Sequence, residues 1–131
     1  MMAKAIRAAD SARILLDSGD PDGACNRAYY AMYAAARSAL LASEQLPELE
    51  SAKTHAGLIS AFSLRLVKTG RVSVELGRSL NRAEELRLLA DYKRESIEIE
   101  DAAWVVSEAQ TFVHEMQTRF IPTASKDIEN G

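Results

Sequence analysis

Apolar residues recur every three or four positions along most of the chain, a spacing that is typical of amphipathic helices. The pattern predicts a first helix over 2–18, which the turn-forming sequence SGDPDG then ends. Asp20 or Asp22 is a candidate N-cap for the second helix, and Pro21 is compatible only with its first turn. This second helix is expected to run to about Ala42.

Three further helices are predicted after a polar, proline-containing loop over 43–51. The third helix has Ser51 or Thr54 as its candidate cap and is expected to end near residue 70. The last helix should start near residue 98 and stop before Pro122. The fourth helix is predicted over 74–94, with four apolar side chains on its inner side: Leu76, Leu80, Leu86 and Leu89.

The helical spacing of the apolar residues predicts an all-α protein. We expect an up-and-down four-helix bundle with an additional helix and no β-strands. No stretch of the sequence shows the alternation that is typical of a strand. A length of 131 residues suits one domain with one core. We therefore expect a single helical domain over 1–121 and a flexible C-terminal tail over 122–131.

The composition argues against several classes of protein. Cys25 is the only cysteine, so the chain can form no internal disulfide and has no cysteine–histidine pair with ligand spacing. We expect no metal, no cofactor and a reducing, cytoplasmic location. No apolar run approaches the ~20 residues that span a bilayer, and the amino terminus lacks a signal-peptide pattern. A membrane is therefore not an expected partner.

The charge is unevenly distributed, although the net charge is only −3. Residues 65–94 carry 8 basic and 4 acidic side chains, whereas 95–131 carry 2 basic and 8 acidic ones. The basic middle segment is suited to contact phosphate groups, as in RNA or a nucleotide. Alternatively, the acidic last helix could pack beside this segment and offset its charge.

The second helix combines three tyrosines with many alanines. At 100° per residue, Tyr29 and Tyr33 share one face, and Arg27 and Tyr30 lie on an adjoining face. A purely structural core is served equally well by leucine and phenylalanine, so three tyrosines beside Asn26 and Arg27 indicate a polar pocket. The alternative is that the tyrosines are packing residues at the edge of the core.

The end of the fourth helix carries a second polar group. Arg87 and Asp91 are four residues apart, a spacing that also suits an ordinary surface ion pair worth a few tenths of a kcal/mol. Tyr92 adds a hydroxyl one residue further on. His55 and Lys53 make a candidate polar corner at the start of the third helix, although a lone histidine there is more often a core residue. A pocket forms only if the end of the fourth helix meets the tyrosine-rich face.

Trp104 lies almost opposite the apolar arc of the last helix. A tryptophan on a polar helix face is either covered by a loop or anchors an interface, because exposed aromatic residues dominate association energies. We take Trp104 as a candidate interface residue. His114, on the same helix, is expected to be solvated.

These residue types suit metal-independent cleavage of RNA. Such cleavage needs a base for the 2′-hydroxyl proton, a cation for the phosphate, and a proton for the leaving oxygen. Histidine, tyrosine and arginine can fill these roles, and asparagine and aspartate can orient them. The spacing of these residues does not by itself show that the chain catalyses the reaction.

Three motifs carry a family resemblance: NRAYYAMY over 26–33, KTHAG over 53–57 and RLLADY over 87–92. With these motifs the chain resembles the HEPN family of small helical bundles over nearly its whole length, and in particular its prokaryotic single-domain branch. The resemblance implies a homodimer that is encoded beside a minimal nucleotidyltransferase. Many family members act as ribonuclease toxins.

The resemblance assigns Arg87 as the motif arginine. Toxin members have a histidine a few residues after this arginine, whereas here Tyr92 occupies the closest position, so His55 or a tyrosine would have to replace that group. In related two-component systems the partner modifies a tyrosine near the motif, which makes Tyr92 a hypothetical modification site. The candidate catalytic residues are Arg87, Asp91, Tyr92 and His55, and the candidate substrate-binding residues are Asn26, Arg27, Tyr30 and Lys53.

Three functions are compatible with this sequence. The first is a toxin-like protein that cuts or binds RNA and is neutralised by a nucleotidyltransferase antitoxin. The second is a non-catalytic subunit that binds a nucleotide or substrate, or docks a nucleotidyltransferase. A purely structural oligomerising bundle is a third possibility.

Overall fold

The computed structural model describes residues 2–43, 54–92 and 96–121. These residues form helices and no strands, as the predicted all-α bundle requires. The helices are α1 (Met2–Asp17), α2 (Pro21–Ala42), α3 (His55–Phe62), α4 (Val74–Tyr92) and α5 (Ile99–Phe120), and α3 continues into a π-helical turn, Ser63–Val67. The predicted 43–51 loop, apart from Ser43, and the predicted 122–131 tail lie outside the described residues.

Side-chain caps fix the starts of α2 and α3. Asp20 is the N-cap of α2, where its carboxylate accepts a hydrogen bond from the Gly23 amide at 2.9 Å, and Pro21 occupies the first turn as predicted. Thr54 caps α3 in the same way, and its hydroxyl accepts a hydrogen bond from the Gly57 amide at 2.9 Å. The alternative cap, Ser51, lies outside the described residues. Each cap accepts a hydrogen bond from an amide that has no acceptor within its own helix.

Helix α2 is the centre of the bundle and contacts each of the other four helices. Small side chains allow this close approach, because seven of its alanines are buried together with Cys25 and Ser38. Larger side chains fill the space between the helices, including the rings of Phe62 and Phe112, whose centres lie 5.5 Å apart. The central position predicted for the tyrosine-rich helix is thereby observed.

The prediction for the inner side of α4 was wrong at one position. Leu76, Leu80 and Leu86 are buried, but Leu89 is 38% exposed. A residue three positions after Leu86 is rotated by about 60° from it around the helix axis, because each residue turns the helix by 100°. That rotation places Leu89 on the rim of a surface hollow beside Ile97 instead of in the core.

Two negative findings concern the described part of the chain. None of its helices combines the length and the apolar composition that crossing a bilayer requires. The described residues also contain no group of three or more histidine, cysteine, aspartate or glutamate side chains placed to hold a metal ion.

Candidate functional site

Tyr29 is the residue around which a polar cluster is built. Its side chain projects from α2 into the core and is only 1% exposed. Its hydroxyl lies 2.9 Å from Nδ1 of His55, the first residue of α3. The Tyr29 and His55 rings also stack, with centres 5.5 Å apart and planes inclined by 29°. The Tyr29 side chain thus attaches the start of α3 to the middle of the bundle.

A second tyrosine of α2 supports the same imidazole. Tyr33 lies one turn after Tyr29, and its ring stacks on His55 with centres 4.4 Å apart. The two tyrosine rings are 6.2 Å apart. His55 is nevertheless exposed, so its ring is held by the tyrosines and can still meet a molecule from solvent.

Arg87 approaches Tyr29 from α4. Its guanidinium carbon lies 4.9 Å from the centre of the Tyr29 ring, which is within the range of a cation–π contact. The same guanidinium forms an ion pair with Asp91 at 2.9 Å and a longer one with Glu84 at 3.9 Å. The Arg87 side chain is 19% exposed, so it is fixed on three sides and remains accessible at one edge.

The environment of Tyr29 keeps its hydroxyl protonated. Burial raises the pKa of Tyr29 well above its ordinary value, and the nearby carboxylate of Glu84 raises that pKa further. The nearby positive charge of Arg87 opposes this rise but does not cancel it. Tyr29 therefore acts here as a hydrogen-bonding group and not as a base.

Cys25 lies one turn before Tyr29 and is fully buried. Burial raises the pKa of its thiol to about 11, and the negative charges of Asp22, Asp101 and Asp91 contribute to the rise. A thiol with this pKa is almost entirely protonated at neutral pH and is a poor nucleophile. The cysteine belongs to the packing beneath the cluster.

The structure brings together three of the predicted site residues, His55, Arg87 and Asp91, through the Tyr29 ring and the Arg87 ion pair. Arg27 and Tyr30 form a separate pair, with the guanidinium carbon 4.9 Å from the ring centre. Both of these side chains are half-buried, and Asn26 beside them is exposed. Arg27 and Tyr30 thus lie on a face of α2 that adjoins the face of Tyr29 and Tyr33.

Tyr92 does not join the cluster, because it is 82% exposed at the last residue of α4. Five residues separate it from Arg87, which rotates its side chain by about 140° around the helix axis. Lys53 lies outside the described residues. Trp104 is 39% exposed on the outer side of α5, as its position opposite the apolar arc predicted.

Sequence reasoning missed two members of the cluster. Tyr29 was placed on a face with Tyr33, but it was not chosen as a site residue although it contacts both His55 and Arg87. Glu84 was not considered at all. The spacing could have predicted its contact with Arg87: Glu84 lies three residues before Arg87, and residues with that spacing are neighbours on a helix surface.

The cluster offers a compact set of chemical groups. An imidazole and a permanent cation contact the same buried ring, and two carboxylates flank the cation. An imidazole can transfer a proton near neutral pH, and a guanidinium can bind a phosphate through two parallel hydrogen bonds. This set could bind a phosphodiester and move a proton at its edge without a metal ion.

The fold and the site define an all-helical protein whose polar cluster consists of histidine, tyrosine, arginine and carboxylates. A family model described as the HEPN domain matches residues 1–119. The chain belongs to the HEPN family, and the resemblance noted from its motifs is confirmed.

Relatives from bacteria and archaea share most of the chain. A Gloeobacter violaceus protein named "UPF0332 protein glr0978" is 41% identical over 92 residues, which cover 70% of this chain and 69% of that protein. Methanocaldococcus jannaschii has two further relatives. "Putative toxin MJ0605" is 34% identical over 103 residues, which cover 79% of this chain and 73% of the relative. "Putative toxin MJ0142" is 30% identical over 133 residues, which cover 100% of this chain and 84% of the relative.

Proposed function

We propose that this HEPN protein is the toxin-like component of a two-component module and that it cleaves RNA without a metal ion. The observation that carries the proposal is the joint contact of His55 and Arg87 with the Tyr29 ring. This joint contact holds a proton-transfer group and a phosphate-binding cation against the same ring. The names of the two archaeal relatives support the toxin assignment.

The proposed reaction is a transesterification within the RNA chain. His55 takes the proton of a 2′-hydroxyl, whose oxygen forms a bond to the neighbouring phosphorus as the bond from phosphorus to the 5′-oxygen breaks. Water supplies the proton to the 5′-oxygen, and the imidazolium returns its proton to solvent. Arg87 stabilises the extra negative charge on the phosphate in the transition state. The products are a 2′,3′-cyclic phosphate and a 5′-hydroxyl.

The charge distribution of the basic segment 65–94 supports an anionic substrate. Within the described residues, the ion pairs of α4 are formed inside that helix, and none joins it to the acidic helix α5. Lys68, Arg71 and Arg78 are exposed on the same basic segment. These two observations favour contact of the basic segment with phosphate groups over neutralisation of its charge by the acidic last helix.

The test compares the two histidines of the chain. His55→Ala is expected to lower the rate of RNA cleavage in EDTA by about 100-fold or more and to relieve growth arrest on expression. His114→Ala removes an exposed imidazole from α5 and is the matched control, with activity expected to equal the parent. Equal activity of both variants would exclude His55 as the base. Loss of cleavage in EDTA by the parent itself would exclude the metal-independent reaction.

One observation favours the second candidate function, a non-catalytic subunit that binds a nucleotide or docks a minimal nucleotidyltransferase. Arg87 already faces two carboxylates, at 2.9 and 3.9 Å, and these reduce the positive charge that it can offer to a phosphate. On this interpretation, the purified protein binds a nucleotide or the nucleotidyltransferase and leaves RNA intact. Binding that requires Arg87, without cleavage of a broad RNA panel, would select this function.

The partners belong to the same proposal. The family resemblance implies a homodimer and a minimal nucleotidyltransferase acting as antitoxin, and the exposed Trp104 is the candidate anchor of the dimer interface. A cytoplasmic location, expected from the single cysteine, fits RNA as the substrate. Co-expression with a nucleotidyltransferase encoded next to this protein should restore growth if that enzyme is the antitoxin.

A further inference from the structure

A second polar hollow lies between α3, its π-helical extension and α4, and none of its lining residues belongs to the Tyr29 cluster. Its volume is about 280 Å³. Small-molecule sites in proteins have volumes of roughly 300–1,000 Å³, so this hollow suits a ligand no larger than about one nucleotide. We call it the α3–α4 hollow. Two aliphatic and four polar side chains line it: Ile59, Leu64, Ser60, Ser63, Lys68 and Asn81.

The π-helical turn Ser63–Val67 brings a cation to this hollow. In an α-helix, a side chain five positions further on is rotated by about 140° around the axis. Here the Lys68 amide instead donates to the Ser63 carbonyl at 2.9 Å, so residue 68 lies nearly one turn above residue 63 and both line the hollow. π-helical turns within α-helices are frequent at functional sites. The irregular turn thus adds the Lys68 ammonium group to a hollow that is otherwise neutral.

The groups that line the hollow can each take part in binding a ligand. Lys68 is exposed and takes part in none of the ion pairs formed among the described residues. Asn81 donates one hydrogen bond from Nδ2 to the Gly77 carbonyl at 3.0 Å, which leaves its carboxamide oxygen and a second N–H. Leu64 is 51% exposed and, with Ile59, offers an apolar wall to a planar ring. A nucleotide combines the three matching features, namely a phosphate, a base edge with donors and acceptors, and an apolar ring face.

The hollow lies a short way along both helices from the residues proposed for cleavage. Ile59 follows His55 by one turn of α3, about 6 Å along the axis, and Asn81 precedes Arg87 by about 9 Å along α4. Stacked nucleotides advance by about 3.4 Å each, and an unstacked strand advances further. A strand of four nucleotides is therefore long enough to contact Arg87 and the hollow together, whereas a dinucleotide is not.

We propose that the α3–α4 hollow binds one nucleotide of single-stranded RNA beside the cleavage site, with Lys68 on its phosphate and Asn81 on the edge of its base. This inference deepens the proposed function and rests on it, because the bound nucleotide belongs to the RNA that His55 and Arg87 act on. The RNA is single-stranded at this point, since pairing would occupy the base edge and keep the ring stacked inside a duplex.

The experiment compares the affinities of the protein for a dinucleotide and a tetranucleotide of adenylate in which every 2′-hydroxyl is replaced by a methoxy group, so that neither is cleaved. We expect the tetranucleotide to bind the parent at least about tenfold more tightly. Lys68→Ala should remove about tenfold of this gain and lower the slope of log affinity against log salt by about 0.7, since one phosphate contact is lost. Asn81→Ala should remove about fivefold of the gain without changing the slope, because the carboxamide is uncharged.

The matched control is Arg78→Ala, which removes an exposed positive charge from α4 outside the hollow. It should weaken both oligonucleotides by the same factor. Equal binding of the two oligonucleotides by the parent, or the same affinity ratio in Lys68→Ala and Arg78→Ala, would overturn the subsite. A loss in Lys68→Ala without one in Asn81→Ala would reduce the site to a phosphate contact and overturn the base contact.

Cleavage of unmodified RNA separates the subsite from the proposed function. A gain in affinity that depends on Lys68 and Asn81, without cleavage by the parent, would overturn the proposed cleavage alone. Cleavage that depends on His55, with an affinity ratio that neither Lys68→Ala nor Asn81→Ala changes, would overturn the subsite alone.

Discussion

The guanidinium carbon of Arg87 lies 4.9 Å from the centre of the Tyr29 ring. This contact connects the last turns of α4 to the first half of α2, across the core of the bundle. A desolvated cation–π pair is worth about 2 kcal/mol, and the ion pair with Asp91 restricts the same guanidinium further. The arginine is therefore held in place within the fold, and it contacts the same ring on which the His55 imidazole stacks.

Because Arg87 is held in this position, its substitution is the most direct test of the proposed cleavage activity. Arg87→Ala is expected to lower RNA cleavage by about 100-fold or more, because a fixed donor to the transition-state phosphate is removed. Arg87→Lys keeps the charge but cannot form two parallel hydrogen bonds, so it should retain only a small part of the activity. Cleavage rates under single-turnover conditions measure both effects.

The matched control is Arg82→Ala, on the same helix. Arg82 forms an exposed ion pair with Glu85 at 3.5 Å and has no contact with Tyr29 in the described structure. Its loss should change the rate only slightly, through weaker general attraction of RNA. If Arg82→Ala and Arg87→Ala reduced the rate equally, the arginines would act through net charge and not through the cluster.

The cap of α3 links local structure to the position of His55. In Thr54→Ala the Gly57 amide loses its side-chain acceptor, so the first turn of α3 should be less stable by about 1 kcal/mol. Because His55 is the first residue of that turn, its imidazole should also be less well held. Hydrogen exchange at the Gly57 amide should accelerate by about fivefold, and RNA cleavage should fall with it.

Ser60→Ala is the control for the cap, since the Ser60 side chain is exposed within the same helix and does not cap its start. It should leave the exchange rate at Gly57 unchanged. Unchanged exchange in Thr54→Ala as well would show that the tyrosine contacts alone hold the first turn.

The helices could be predicted because their signals are local. The Asp20 cap, the position of Pro21 and the end of α2 near Ala42 follow from rules that act within one turn. The ion pair of Arg87 and Asp91 was also visible as an i, i+4 spacing. These features need no knowledge of how the helices pack.

The cluster could be predicted only in part, because it depends on how helices rotate against one another. The motifs pointed to Tyr30 and Tyr92, whereas packing selects Tyr29 as the partner of His55 and Arg87 and leaves Tyr92 in solvent. One residue along a helix changes the direction of a side chain by 100°. Spacing alone could not decide which tyrosine of a neighbouring pair enters the core.

The buried thiol of Cys25 predicts how stability changes at alkaline pH. Its pKa is raised from 9.0 to about 11 in the folded protein, so the unfolded chain loses the thiol proton first as pH increases. The free energy of unfolding should therefore fall between about pH 9 and pH 11. Between pH 8 and pH 10 the thiol alone should account for about 1 kcal/mol of this loss.

Urea denaturation at several pH values measures this effect. Cys25→Ala removes the thiol and should show a shallower decline over the same range, whatever its absolute stability. The difference between the two curves isolates the thiol, since the raised pKa of Tyr29 adds a loss of the same sign to both proteins near pH 10 and above. Parallel curves for the parent and Cys25→Ala would show that the thiol is not shielded in the folded state.

Trp104 is the position at which the proposed homodimer can be tested independently of catalysis. A tryptophan that is 39% exposed in the single chain has a large apolar surface left to bury against a partner. If it anchors the interface, Trp104→Ala should raise the dimer dissociation constant by about 30-fold, since residues of this kind contribute 2 kcal/mol or more. Sedimentation equilibrium over a range of concentrations measures the constant. Ile14→Ala, which removes a 66% exposed apolar side chain from α1, is the control and should leave it unchanged. A parent protein that stays monomeric, or equal weakening by both substitutions, would rule out Trp104 as the anchor.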